Sequence, residues 1–205
     1  MTIETWLAFT SATIVLLLIP GPTILLVVSY ALGQGWRAAL PMAIGVALGD
    51  FTAMTLSLFG VGALLMASAT LFTAIKWIGA AYLIYLGFKL FRAGGRLNVK
   101  AMADRRSAAK MIGHAWLVTA LNPKGITFFL AFVPQFVNAA VPFAGQAVIF
   151  EATFLTLAFV NALGYAFVAS RAREVFANPK AIRIFNRSGG ALLMGAGVAT
   201  VAMRH

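Results

Sequence analysis

The stretch WLAFTSATIVLLLIPGPTILLVVSYAL, residues 6–32, is apolar almost throughout and is interrupted once, by Pro20-Gly21-Pro22. A helix needs roughly 20 apolar residues to cross about 30 Å of hydrocarbon, and this segment is long enough to span even with a break in its middle. Pro20 and Pro22 carry no N–H. In a continuous helix their rings would clash with the carbonyls of Leu16 and Leu18, at about 3 kcal/mol or more apiece. Inside lipid the freed backbone groups must find partners in protein, in water or in a ligand, so a double-proline break at mid-depth points to a lined cavity. The plainer alternative is a kink between packed helices.

Outward from this span the pattern repeats. Apolar stretches run from Ala38 to Met66, Leu71 to Leu90, Gly113 to Val137, Gly145 to Ser170 and Ile184 to Met203, joined by short connections. The chain of 205 residues is 61% hydrophobic and 10% charged, where a soluble domain carries about one quarter charged residues. The expected fold is therefore all-α and polytopic, a single transmembrane domain of six helices over residues 1–205. Glu4 stands where a cleavable leader would carry Lys or Arg, and no small-x-small site follows the apolar run, so the first stretch is expected to be a helix of the mature protein.

Charge orients the helices. Thirteen of the 16 Lys and Arg residues lie in, or at the edges of, three connections. Arg37 follows span one, Lys89 to Lys110 follow span three, and Arg171 to Arg187 follow span five. The connections after spans two and four carry none, so the positive-inside bias predicts both termini outside and the basic loops in the cytoplasm. The net charge of +11 is thus read as topogenic and lipid-facing charge, and no nucleic-acid partner is expected. The sequence has no cysteine and two distant histidines, His114 and His205; neither metal nor cofactor is expected.

The two halves can be laid side by side. Residues 1–92 form the first expected repeat, 93–112 a basic cytoplasmic loop with Gly94, Gly95 and Asn98, and 113–205 the second repeat. Span four, which opens the second half, is interrupted by Asn122-Pro123-Lys124 as span one is by Pro20-Gly21-Pro22. Span two carries Asp50-Phe51-Thr52-Ala53-Met54-Thr55-Leu56 and span five carries Glu151-Ala152-Thr153-Phe154-Leu155-Thr156-Leu157. Three-helix repeats entering from opposite sides are related by inversion, and inverted repeats with equivalent broken helices place a transporter's binding site between the breaks.

The candidate binding residues follow. Half-helices beginning near Thr23 and after Pro123 would aim free N–H groups at the midplane, a setting for a carboxylate. Asp50 follows the Gly45-x-x-x-Gly49 pair, which permits close helix approach. An aspartate at that depth costs about 3 kcal/mol on insertion scales, so it is expected to take a proton or pair with a substrate ammonium; a salt bridge with Lys124 is the alternative. Lys124 is expected to need an anion, from Asp50, Glu151 or a substrate carboxylate. Glu151 near the outer end of span five is equally a vestibule charge, and Lys76 a snorkelling one. Asn122, Asn161, Thr23 and Tyr82 could line a cavity or bond between helices. Gly79, Gly87, Ala191 and Gly195 are packing positions, and such small-residue faces permit a homodimer.

No phosphate loop, Ser/His/Asp set or H-E-x-x-H motif occurs, so an enzyme is not expected. Transport would draw on an ion or proton gradient. An inorganic-ion carrier of the same architecture and a membrane-embedded enzyme or assembly subunit are the alternatives.

With these residues in view, the sequence resembles the LysE/RhtB family of bacterial amino-acid exporters, of the homoserine/threonine efflux type. The likeness is carried by Pro20 to Pro22, GVALGD ending at Asp50, IGAAYLIYLGFKLFRAG from Ile78 to Gly94, LNPKGITFFLAFVPQF from Leu121 to Phe136, and RSGGALLMGAG in the last span. The resemblance implies a six-helix carrier of the bacterial inner membrane that exports amino acids or their derivatives in exchange for protons. It places the motif positions at Pro20, Gly21, Pro22, Gly49, Asp50, Asn122, Pro123 and Lys124. Glu151 departs from the pattern, where a small residue is usual.

Overall fold

The computed structural model describes residues 1–67, 107–138 and 140–171, with single positions between 77 and 92 and between 180 and 198. Spans three and six are described only at those single positions, and the loop 93–106, with Lys76, Gly79, Tyr82 and Gly87, lies outside the described residues. The described elements are all helical.

Helix α1 (Ile3–Leu18) starts where the Thr2 hydroxyl accepts from the Thr5 N–H. It stops because Pro20 has no proton to continue the ladder. Ile19 and Gly21 are extended, and α2 (Pro22–Gln34) restarts with Pro22 in its first turn, a position where the missing N–H costs nothing. The expected break in span one is therefore present, at residues 19–21. Helix α2 ends at Gly35, whose φ of 71° lies in the left-handed region that glycine enters without a Cβ penalty. A 3₁₀ turn (Gly35–Ala38) leads into α3 (Ala39–Ala67).

The second broken span has the same plan. Helix α4 (Ala108–Ala120) gives way at Leu121 and Asn122, and α5 (Pro123–Thr127) again starts with proline. A π turn (Phe128–Phe132) and a 3₁₀ turn (Val133–Phe136) carry it on, with a bend of 42° at the break. Helix α6 (Phe143–Arg171) follows a turn held by Gln146, whose amide bonds both the N–H and the carbonyl of Asn138 at 2.9 Å.

Side-chain pairings give the helix directions. Gly45 faces Ile112 and Ala115, and one turn later Gly49 faces Trp116 and Thr119, so α3 and α4 run parallel. Thr23 meets Thr119 and Tyr30 meets His114, so α2 runs against α4. Trp6 meets Thr153 and Leu18 meets Tyr165, so α1 and α6 run together. The two broken spans are thus antiparallel, with their breaks side by side. The α3–α4 contact needs glycine: a Cβ on Gly45 would lie 2.5 Å from the Ile112 carbonyl oxygen, and one on Gly49 2.5 Å from Thr119 Cβ. The close approach expected of this pair is found, with α4 as the partner.

Apolar packing lies on both sides of the breaks. Helix α2 is buried on nearly every face, and it packs with Met42 and Val46 of α3 and the small residues Ala162, Ala166 and Ala169 of α6. On the other side Phe9, Phe128, Phe129, Phe150 and Phe154 form an aromatic cluster, with the Phe9 and Phe150 rings 4.7 Å apart. Large apolar side chains such as Leu7, Leu48, Phe51, Leu56, Phe59 and Val148 face outward. That exterior suits lipid. Two described helical stretches, Pro22–Gly60 through its turn and Phe143–Arg171, are long and apolar enough to cross a membrane, and the bent pair Ala108–Ala120 and Pro123–Phe136 makes a third.

Candidate functional site

The end of α1 and its cap present the carbonyls of Leu16, Leu17, Leu18 and Ile19 with no donor four residues on, because the chain beyond them is Pro20-Gly21-Pro22; the Leu16 carbonyl keeps one backbone donor, the Ile19 N–H at 3.2 Å. Side chains from the second half of the sequence meet all four. Lys124 Nζ donates to the Leu16 carbonyl at 2.9 Å and to the Ile19 carbonyl at 2.6 Å. Asn161 Nδ2 donates to the Leu17 carbonyl at 3.1 Å, and the Tyr165 hydroxyl to the Leu18 carbonyl at 2.8 Å. Lys124 is 8% exposed. An ammonium at a helix C-terminus also meets the negative end of the helix dipole.

Lys124 was expected to need an anion; its direct hydrogen bonds go to backbone carbonyls, while the Asp50 carboxylate is near enough to act on it through charge without a direct bond. The two convergent carbonyls supply partial negative charge and hydrogen-bond acceptors to the buried ammonium. Among the described residues Lys124 and Asp50 form no salt bridge, although both line one cavity.

The second break is stitched to the first by neutral groups. Asn122 Oδ1 accepts from the Lys124 backbone N–H at 3.1 Å and so caps α5. Its Nδ2 donates to the Thr23 hydroxyl at 3.0 Å, and the Thr119 hydroxyl reaches the same oxygen at 3.3 Å.

Between the breaks lies a small, partly open cavity. Its polar lining is Thr23, Asp50, Asn122, Lys124 and Asn161. Leu16, Leu17, Ile24, Val46, Phe154 and Ala158 supply apolar walls, and Gly21 and Gly125 leave room at the two breaks. Asp50 is 7% exposed, and among the described residues no side chain or backbone group hydrogen-bonds its carboxylate. A Cβ on Gly125 would come within 3.9 Å of Asp50 Oδ1. At the start of α2 the Gly21 cap brings no side-chain bond, so the N–H groups of Thr23 and Ile24 have no helical acceptor.

Of the residues expected at the site, Gly21, Thr23, Asp50, Asn122 and Lys124 line the cavity together. Pro20, Pro22 and Pro123 make the breaks and do not line it. Gly49 packs α3 onto α4 and sets the position of Asp50 beside it. Glu151 is not among the lining residues; its Oε1 accepts from the Thr55 hydroxyl. Asn161, expected to line a cavity or bond between helices, does both. Tyr165 went unread, yet it stands four residues after Asn161, the spacing that puts two polar tips on one face of an apolar helix.

Broken helices crossing at a polar cavity within an apolar helical body define a multi-pass membrane protein of the transporter class. The chain belongs to the LysE type translocator family, whose family model matches residues 14–204. It is 32% identical over the whole of both chains to the homoserine/homoserine lactone efflux protein of Salmonella typhimurium. It is also 32% identical to an uncharacterized membrane protein of Vibrio cholerae, over 97% of each chain, and 34% identical to one of Pseudomonas aeruginosa, over 89% of this chain and 88% of that one. No solved structure matches it.

Proposed function

We propose that this protein exports amino acids or close derivatives across the bacterial inner membrane by exchange with protons, and that the cavity between the two breaks is where the solute binds. The observation that carries the reading is the Asp50 carboxylate, buried, facing the cavity and without a hydrogen-bond partner among the described residues. A charge in that position is costly unless something joins it. A proton or a substrate ammonium can do so, and the two exclude one another at one carboxylate.

The solute is oriented by what surrounds Asp50. Its ammonium pairs with the carboxylate. Its carboxyl or carbonyl oxygen turns toward the open N–H groups of Thr23 and Ile24, where the dipole of α2 favours negative charge. The side chain meets the apolar walls at Val46, Phe154 and Ala158. Homoserine and its lactone, the solutes named for the Salmonella relative, share an amino group beside a carbonyl carbon, and this arrangement suits both.

Exchange then follows from competition. A solute entering from the cytoplasm takes the ionised Asp50, and a proton arriving from outside displaces its ammonium. The returning carrier brings the proton inward. Alternation of access is assigned to rocking of one three-helix repeat against the other, in the six-helix arrangement with both termini outside. The antiparallel course of the two broken spans, and the parallel pairs α3 with α4 and α1 with α6, support that arrangement.

Counterflow in proteoliposomes tests the reading. Vesicles preloaded with single amino acids, homoserine or its lactone are given a labelled trace outside, with and without an imposed pH gradient. Trans-stimulated uptake of an amino-acid class that responds to the gradient is expected. Absence of counterflow with every amino acid and derivative would overturn the proposal.

A further inference from the structure

We infer that the Lys124 ammonium is a tethered cation filling a monovalent-cation site built from the freed carbonyls of α1, and that its removal leaves a site for a free cation. The inference does not depend on which solute the protein carries. The site is made by the proline break. Pro20 cannot offer an N–H to the Leu16 carbonyl, which keeps one backbone donor, the Ile19 N–H at 3.2 Å, and a lone pair to spare, and the extended backbone at Ile19 turns the Ile19 carbonyl toward the same point. These two oxygens lie 2.9 and 2.6 Å from one nitrogen.

Unwound backbone carbonyls and half-helix C-termini are what broken-helix transporters use to coordinate small cations, and carbonyl oxygens suit hard ions. The remaining charge comes from Asp50, on another wall of the same cavity. The neighbouring carbonyls of Leu17 and Leu18 are served by neutral donors, Asn161 and Tyr165. Only the Leu16 and Ile19 pair receives a positive charge. Room for the lysine stem is left at Gly21, where a Cβ would stand 3.3 Å from Lys124 Cδ. Lysine thus brings its own cation to the point where the two broken helices meet, and the junction needs none from solution.

Thermal unfolding of the purified full-length protein reads this directly. The unaltered protein and Lys124→Ala are melted in sodium, potassium, methylammonium and choline chlorides at equal ionic strength. Choline is the bulky control. The unaltered protein melts alike in all four. Lys124→Ala melts several degrees lower in choline, and sodium, potassium or methylammonium raises it in a saturable way. Lys124→Met, which restores the volume of the stem without the charge, carries the same comparison if the alanine variant folds poorly. Variants that melt identically in all four salts, or stay unfolded in each, overturn the proposal, as does an equal cation response in the unaltered protein.

Discussion

The Lys124 ammonium donates to the Ile19 carbonyl at 2.6 Å, joining the first turn after one helix break to the last turn before the other. These residues are 105 positions apart in the chain, and the bond makes the two breaks one structural unit. Loss of the ammonium leaves the Ile19 carbonyl without its donor, at about 1–3 kcal/mol for a buried group left unsatisfied, and leaves the Leu16 carbonyl with the Ile19 N–H alone. Lys124→Met in choline chloride is therefore expected to lower the melting temperature well below that of the unaltered protein. An unchanged melting temperature would show that the junction does not depend on Lys124.

Tyr165 and Asn161 serve the same turn of α1 with neutral donors. Tyr165→Phe removes the bond to the Leu18 carbonyl and should cost about 0.5–1.5 kcal/mol, the usual net worth of one hydrogen bond. Because Asn161, Tyr165 and Lys124 hold adjacent carbonyls, Tyr165→Phe combined with Lys124→Met should be non-additive. A double-mutant cycle by denaturant or thermal unfolding checks this; strict additivity would mean that the four carbonyls are capped independently.

Gly49 and Gly21 should respond differently to alanine. At Gly49 the new methyl would meet Thr119 Cβ at 2.5 Å and the Trp116 carbonyl oxygen at 2.7 Å. Backbone cannot step aside, so α3 and α4 must separate, at about 1–3 kcal/mol for an overpacked contact. At Gly21 the nearest atoms belong to the flexible Lys124 stem, so Gly21→Ala should leave stability closer to that of the unaltered protein. Equal melting temperatures for the two variants would contradict the packing role of Gly49.

Glu151 accepts from Thr55 and does not line the cavity. Glu151→Gln keeps an acceptor for that hydroxyl, and solute exchange in proteoliposomes should continue as in the unaltered protein. Loss of exchange in Glu151→Gln would bring this carboxylate into the transport path.

Much of this was legible because proline leaves a chemical mark. The missing N–H groups of Pro20, Pro22 and Pro123 announce breaks at 19–21 and 121–122, and the apolar stretches 38–66 and 145–170 correspond to α3 at Ala39–Ala67 and α6 at Phe143–Arg171. Span four was read from Gly113, whereas α4 begins at Ala108; Lys110 put that first turn in the basic loop, although a helix can extend past the hydrocarbon. The π turn at Phe128–Phe132 has no sequence signature, because it reflects a shift of backbone bonding. For the same reason the partners of Lys124 were not readable. Backbone carbonyls are present at every residue, and only the fold shows which two have been freed and turned toward the ammonium.

Asp50→Asn in proteoliposomes is the most direct test of the central claim, that one carboxylate holds solute and proton in turn. Asparagine matches the shape of aspartate and removes a buried charge that makes no hydrogen bond among the described residues, so the melting temperature should hold or rise. Transport driven by the pH gradient should fall by at least about tenfold, the equivalent of losing roughly 1.4 kcal/mol of a charge-assisted contact. A folded Asp50→Asn protein that exchanges solute with undiminished response to the gradient would contradict the account.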